Sequence, residues 1–202
     1  MITIIDYDAG NMHSVEKAFN HLGCNVCITS DPEKILAAEK LVLPGVGSFR
    51  DAMNRLESRG LVECIRKAIQ ANTPFLGICL GMQLMYEFSE EGNVAGLGIL
   101  KGKIRRFPKD MGLKIPQIGW NSLEILRPSA LLSELNDNPY VYFVHSYYVD
   151  SDEPETVVAT THYGIHPHVL VEKGNLFLTQ FHPEKSGQAG LCMLKNFANW
   201  QQ

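Results

Sequence analysis

The chain has 202 residues, 45% hydrophobic and 20% charged, which is a globular composition that excludes disorder and by length points to one domain. Its formal net charge of −4 lacks the basic surplus expected of a nucleic-acid-binding protein. No run of about 18 apolar residues is present to span a membrane, and MITIIDYDAG has no basic region like that of a signal peptide, so a cytoplasmic protein binding neither nucleic acid nor membrane is expected.

Residues 2–5 read as a short strand ending in the turn Tyr7-Asp8-Ala9-Gly10-Asn11. Val15, Ala18, Phe19 and Leu22 then recur at helical spacing, with Gly23 as the stop signal. Residues 25–29 resemble a second strand, after which Asp31-Pro32 offers an N-cap and a first-position proline. Cys24 and Cys27 have the C-x-x-C spacing but lie in this apolar run, whereas redox pairs sit at a helix start. With no second pair to complete a zinc site and an odd total of five cysteines, they read as reduced packing residues. Residues 40–43 form a third strand closed by Pro44-Gly45-Val46-Gly47. Helical pattern resumes to about residue 70 with a break near Arg59-Gly60, and residues 73–78 make a fourth strand running into Cys79. This alternation argues an α/β fold of three layers: an open, mostly parallel sheet with helices on both faces.

The second half is richer in strands, expected at 97–107, 115–126, 140–149, 156–162, 168–172 and 176–181, with Gly174-Asn175 as a hairpin turn between the last two. A final amphipathic helix covers about 187–200. No linker, repeat or low-complexity segment divides the chain, so residues 1–202 are read as a single domain.

The segment Gly77-Ile78-Cys79-Leu80-Gly81 places a cysteine between glycines at a strand-to-helix junction, the geometry of a nucleophile elbow with sulfur in place of a serine hydroxyl. Such a turn is tight enough to demand residues without Cβ on either side, and it lifts the side chain above the sheet where open α/β folds bind ligands. The N-terminus of the following helix favours the thiolate, and the Leu80 amide is poised to donate to an oxyanion. A nucleophile needs a base and a group that orients the base. His182-Pro183-Glu184 supplies both, because in an extended stretch residues i and i+2 point the same way. Glu184 then accepts from one ring nitrogen of His182 while the other faces Cys79. His162, His166 and His168 read as surface residues, and His145 as a positioning residue.

On these motifs the chain resembles the class I (triad) glutamine amidotransferases, and within them the glutaminase subunits of imidazole glycerol phosphate synthases. The resemblance runs from the Asp6-Tyr7 turn through Leu43-Pro44-Gly45-Val46-Gly47-Ser48-Phe49, the cysteine elbow to Gln83, Gly119-Trp120-Asn121 and Tyr142-Phe143-Val144-His145-Ser146-Tyr147 to Gln180-Phe181-His182-Pro183-Glu184-Lys185-Ser186. Asp8 departs from it, since glycine is common there. The resemblance implies a flavodoxin-like sheet and a glutaminase in which Cys79, His182 and Glu184 are catalytic. By the same implication Val46, Gly47 and Leu80 form the oxyanion hole, and Gln83, Glu91, Ser146 and Tyr147 hold glutamine. It further implies a (β/α)8-barrel cyclase as heterodimeric partner, contacted by Asn11, Trp120, Tyr142 and Lys185, with ammonia passed between them and neither cofactor nor metal required. A paralogue that feeds another acceptor, such as a sugar amidation enzyme, is the alternative. A non-catalytic binding subunit is disfavoured by the intact triad, and a thioredoxin-like protein by the placement of Cys24 and Cys27.

Overall fold

A computed structural model describes residues 1–201. The first half alternates β1 (Ile2–Ile5), α1 (Met12–His21), β2 (Val26–Thr29), α2 (Pro32–Leu36), β3 (Leu41–Gly45), α3 (Phe49–Ser58), α4 (Leu61–Gln70) and β4 (Phe75–Cys79). Local chemistry sets these boundaries. The Asp31 carboxylate accepts from the Glu33 amide at 3.0 Å to cap α2, and Gly60 at φ +68° separates α3 from α4. After the single-turn α5 (Leu80–Gln83) come β5 (Tyr86–Ser89), β6 (Val94–Ala95), β7 (Leu100–Arg106), β8 (Gln117–Ser122), β9 (Glu124–Ile125), β10 (Tyr140–His145), β11 (Tyr147–Ser151), β12 (Val157–Thr160), β13 (His168–Lys173), β14 (Leu176–Thr179) and α6 (Gly187–Asn199).

The main sheet runs β2-β1-β3-β4-β14-β13-β11-β7-β5-β6, with β12 and β9 attached at β13. The neighbours from β2 to β14 pair in parallel, and beyond β14 the sheet continues through antiparallel pairs except for β7–β5, which is parallel. Strand alternation divides the core into two halves. Leu41, Leu43, Phe75 and Leu178 face α2, α3 and α4, whereas Val42, Leu76, Ile78 and Phe177 face α1 and α6. The three layers expected from the β-α-β-α order are present.

The second half departs from expectation in detail. The run at 115–126 breaks at Leu123 into β8 and β9, and the run at 140–149 breaks at Ser146. There β10 pairs only with β8 in a separate two-stranded ribbon, while β11 joins the main sheet. Strands β5 and β6 were not expected, because Tyr86–Ser89 carries a charged residue and β6 is two residues long. Strand β3 also continues through Pro44 and Gly45. Its pairing with β1 covers only Leu41 and Val42, so the missing Pro44 N–H breaks no bond on that side. Among the described residues no helix is long and apolar enough to cross a membrane.

Candidate active site

Sheet register builds the site. In the β3–β4 pairing Gly45 lies opposite Cys79, and in the β4–β14 pairing Ile78 lies opposite Thr179. The Val46–Gly47 loop, the cysteine and the segment leading to His182 therefore leave neighbouring strands at the same end.

Cys79 has φ +54° and ψ −108°, a conformation that L side chains rarely adopt and that costs about 1–3 kcal/mol. Its surroundings enforce it. A Cβ on Gly81 would stand 1.9 Å from the Leu43 carbonyl oxygen, and one on Gly77 would meet Leu178 at 2.7 Å and the Gly81 carbonyl at 2.9 Å. Gly45 is also confined, since a Cβ there would stand 2.6 Å from the Tyr7 hydroxyl. That hydroxyl donates to the Pro44 carbonyl at 3.0 Å, and burial, reinforced by Cys79, pushes its pKa up so that it remains a donor. The helix after Cys79 is a single turn. Any help to the thiolate therefore comes from the local amides of that turn, not from an extended helix dipole.

His182 and Glu184 pair through a 3-10 turn at Pro183–Lys185, where the sequence suggested extended chain. His182 Nδ1 and Glu184 Oε1 are 2.8 Å apart, with side chains 2% and 1% exposed. The turn is fastened by the His182 amide donating to the Tyr142 carbonyl at 3.0 Å and by the Ser186 hydroxyl donating to the His182 carbonyl at 2.6 Å. Burial opposes the imidazolium, but the adjoining Cys79 and Glu184 outweigh it and raise the His182 pKa to about 9. Its Nε2 is buried and completes no hydrogen bond of good geometry, although the thiol is close enough to exert that influence.

Cys79 and His182 face a cavity of about 450 Å³. Val46, Gly47 and Leu80 line it together with Gln83, Glu91, Ser146 and Tyr147, so the expected oxyanion and glutamine positions converge on one space. Val46 is 43% exposed and Gly47 has φ +99°. Glu91 Oε2 accepts from the Phe49 amide at 2.9 Å, which ties it to the first turn of α3. Lys185 stands at the cavity rim, whereas Asn11, Trp120 and Tyr142 lie outside it. Trp120 and Tyr142 are directly cross-strand on the β8–β10 ribbon, their rings edge to face at 6.1 Å, and Trp120 is 55% exposed. Asn11 precedes α1 at the turn where Gly10 touches Pro44.

Two residues in the site went unassigned or underread. Gln180, with no role in the sequence reading, sends its side-chain amide toward Cys79; its position two residues before His182 was the available signal. His145 also lines the cavity, packed between Phe107 and Phe143, with Nδ1 2.8 Å from the Tyr147 carbonyl and Nε2 buried without a partner. Burial pushes its pKa down to about 4, with His182 adding to the effect and the Tyr147 carbonyl opposing it. A histidine depressed in this way binds its proton less readily folded than unfolded. The stability it supports is complete above about pH 6.5 and is lost as pH falls toward 4. Urea unfolding at pH 7 and 4.5 should therefore show the wild type losing about 2–3 kcal/mol more than His145→Gln.

Among the described residues no group of three or more His, Cys, Asp or Glu side chains is arranged to hold a metal ion. His166 instead pairs with Glu124 at 2.8 Å.

The sequence pattern of glutamine amidotransferase class-I matches residues 3–200. The chain is 51% identical over 199 residues to the imidazole glycerol phosphate synthase subunit HisH of Thermosynechococcus vestitus, covering 97% of this chain and 95% of that one. Its identity to the subunit of the same name from Moorella thermoacetica is 50%, covering 97% and 93%. Among solved structures, a glutamine amidotransferase superposes with a TM-score of 0.75 at 19% identity, covering 98% of this chain and all of that one. The PurLQS structure from Thermotoga maritima gives 0.75 at 20% identity, covering 98% and 97%.

Proposed function

The chain belongs to the class-I glutamine amidotransferases, and from that membership we propose that it is the cytoplasmic, single-domain glutaminase subunit of imidazole glycerol phosphate synthase, supplying ammonia for histidine biosynthesis to a (β/α)8-barrel cyclase partner. The observation that carries the reading is the convergence on one cavity of the strained Cys79, the Glu184-oriented His182 and the Val46–Gly47 loop.

Glutamine enters with its ammonium toward Glu91 and its carboxamide against Cys79. His182 Nε2 takes the thiol proton, and the thiolate attacks the amide carbon. The amides of Leu80 and of the Val46–Gly47 loop receive the negative charge on oxygen. The C–N bond then breaks, the nitrogen taking the proton from His182 to leave as ammonia. Water, deprotonated by the same imidazole, attacks the thioester; the C–S bond breaks and glutamate leaves. Glu184 holds the ring in orientation and supports its charge throughout.

The roles of His182 and Glu184 predict unequal losses. His182→Ala removes the proton carrier and should reduce glutaminase turnover more than Glu184→Gln, which keeps a hydrogen-bonding group of the same shape. Rates of the two variants in the assembled enzyme check this; the reverse order would exchange the assignments.

Ammonia must reach the partner without entering water, where it would be protonated. The exposed face of the β8–β10 ribbon, with Ile118, Trp120, Tyr140 and Tyr142, lies next to Lys185 and the cavity rim and fits a closed interface, Trp120 serving as its anchor. Mixing the purified chain with the barrel cyclase tests the proposal. Co-elution with glutamine-dependent turnover of the cyclase's nucleotide substrate is expected, and pairing instead with another acceptor synthase would replace the histidine-pathway reading.

A further inference from the structure

Gln180 is wholly buried and ends a chain of hydrogen bonds that the catalytic scheme leaves unused. Gln83 Nε2 donates to the Tyr147 carbonyl at 3.1 Å and to Gln180 Oε1 at 2.9 Å, and Gln180 Nε2 donates to Cys79 Sγ at 3.6 Å. The Tyr147 end fixes both amide orientations. A backbone carbonyl can only accept, so Gln83 must present its NH2 group there. The second hydrogen of that group meets Gln180, which must answer with oxygen. Its own NH2 is left for the sulfur. Flipping Gln180 would oppose two NH2 groups and turn a carbonyl oxygen toward the thiolate.

We infer that Gln180 is a further catalytic-site residue: its Nε2–H stabilises the thiolate of Cys79, and the Tyr147–Gln83 pair holds it in the donating orientation. The inference rests on the reading of Cys79 as the nucleophile. A neutral thiol is a weak acceptor and a thiolate a strong one, so the bond favours the charged form. The same donor serves twice in the reaction. It supports the thiolate before attack, and again when the C–S bond breaks and the electron pair returns to sulfur. At both moments His182 carries a proton, taken first from the thiol and then from water, so Gln180 adds a second, fixed donor whose hydrogen is never passed on.

The test compares alkylation of Cys79 by iodoacetamide across pH in the full chain, with the modified cysteine located by peptide mass spectrometry. Other charged or titratable groups around the sulfur and its cavity are His182 after β14, Glu184 behind it, His145 on β10, Glu91 after β5, Tyr7 beyond β1 and Lys185 at the cavity rim, and the variants leave all of them in place. Gln180→Leu removes the donor. Gln180→Glu keeps the shape and the oxygen that Gln83 needs but turns a second oxygen toward sulfur. Both should move the alkylation midpoint to higher pH and slow the reaction at pH 7 by about tenfold or more, the second variant most. In the assembled enzyme kcat should fall, with the KM for glutamine held best in Gln180→Glu. An unchanged alkylation midpoint in Gln180→Glu that remains folded by circular dichroism overturns the inference, leaving Gln180 a structural role. Glutamine-dependent activity persisting in Cys79→Ala would overturn the reading beneath it instead.

Discussion

Cys79→Ala is expected to eliminate glutamine-dependent synthesis by the assembled enzyme, by a factor of at least about 10⁴, while leaving synthesis from added ammonium salt near the wild-type level. In the proposed scheme the sulfur is the one protein atom that forms a covalent bond to glutamine, and no other cysteine can replace it: the remaining ones lie on β2, α4 and α6 or just before β2. Under the proposed division of labour, acceptor chemistry takes place on the partner and needs only ammonia. Alanine also fits the site, since Cys79 is buried and the substitution only shortens the side chain. Parallel assays with glutamine and with ammonium, on a complex verified by size-exclusion chromatography, separate the two activities. Equal loss of both, with the complex intact, would refute the division of labour between the subunits.

The second large effect concerns the chain by itself. Isolated, it should turn over glutamine poorly, and adding the barrel subunit with its nucleotide ligand should raise kcat by at least about 10²–10³, the value of one missing oxyanion donor. The argument rests on the loop between β3 and α3. One end is fixed by Gly45, confined against Tyr7 and Leu80. The other is fixed where Ser48 accepts from the Asp51 amide at 3.2 Å and Glu91 accepts from the Phe49 amide at 2.9 Å. Only Val46 and Gly47 remain free between these anchors. A Cβ on Gly47 would meet nothing within 4 Å, so the peptide there has room to turn, while Val46 resists positive φ. A partner pressing on exposed Val46 can set the orientation of that peptide. Glutamate release by the chain alone, with the partner, and with partner and ligand measures the effect; full activity in isolation would remove both the gating argument and the need for an obligate complex.

Much of this architecture was legible because its determinants are local. The capping pair Asp31-Pro32, the Gly60 break and the Gly174 hairpin each act within a few residues, and the glycines around Cys79 announce a tight turn without knowledge of what presses on it. What the sequence withheld depends on distant parts of the chain. Nothing near Gly81 reveals that Leu43 would collide with a Cβ there, and the split of 140–149 at Ser146 follows from two pairing partners, Gln117–Ser122 and Leu100–Arg106, far away in sequence. The His182–Glu184 contact was foreseen for an extended segment and arises from a 3-10 turn, so the pair was right and its local geometry was not. Gln180 escaped because a lone buried amide has no motif; only the direction of its hydrogen bonds discloses what it faces.

The position of β14 bears on how the molecule comes into being. It follows every other strand in the chain, yet it lies between β4 and β13, in the middle of the sheet. Until it is inserted, the parallel half from β2 to β4 and the antiparallel half from β13 onward share no strand pairing and each leaves an apolar edge open. β13 meets β14 across the two-residue Gly174-Asn175 turn, but the edge of β4 waits until all the intervening residues are made, a long-range closure of the sort that folds slowly. His182 and Glu184 arrive directly behind β14. The sheet is joined and Cys79 meets His182 in the same step, so the site of the proposed reaction is assembled only when the last strand is in place.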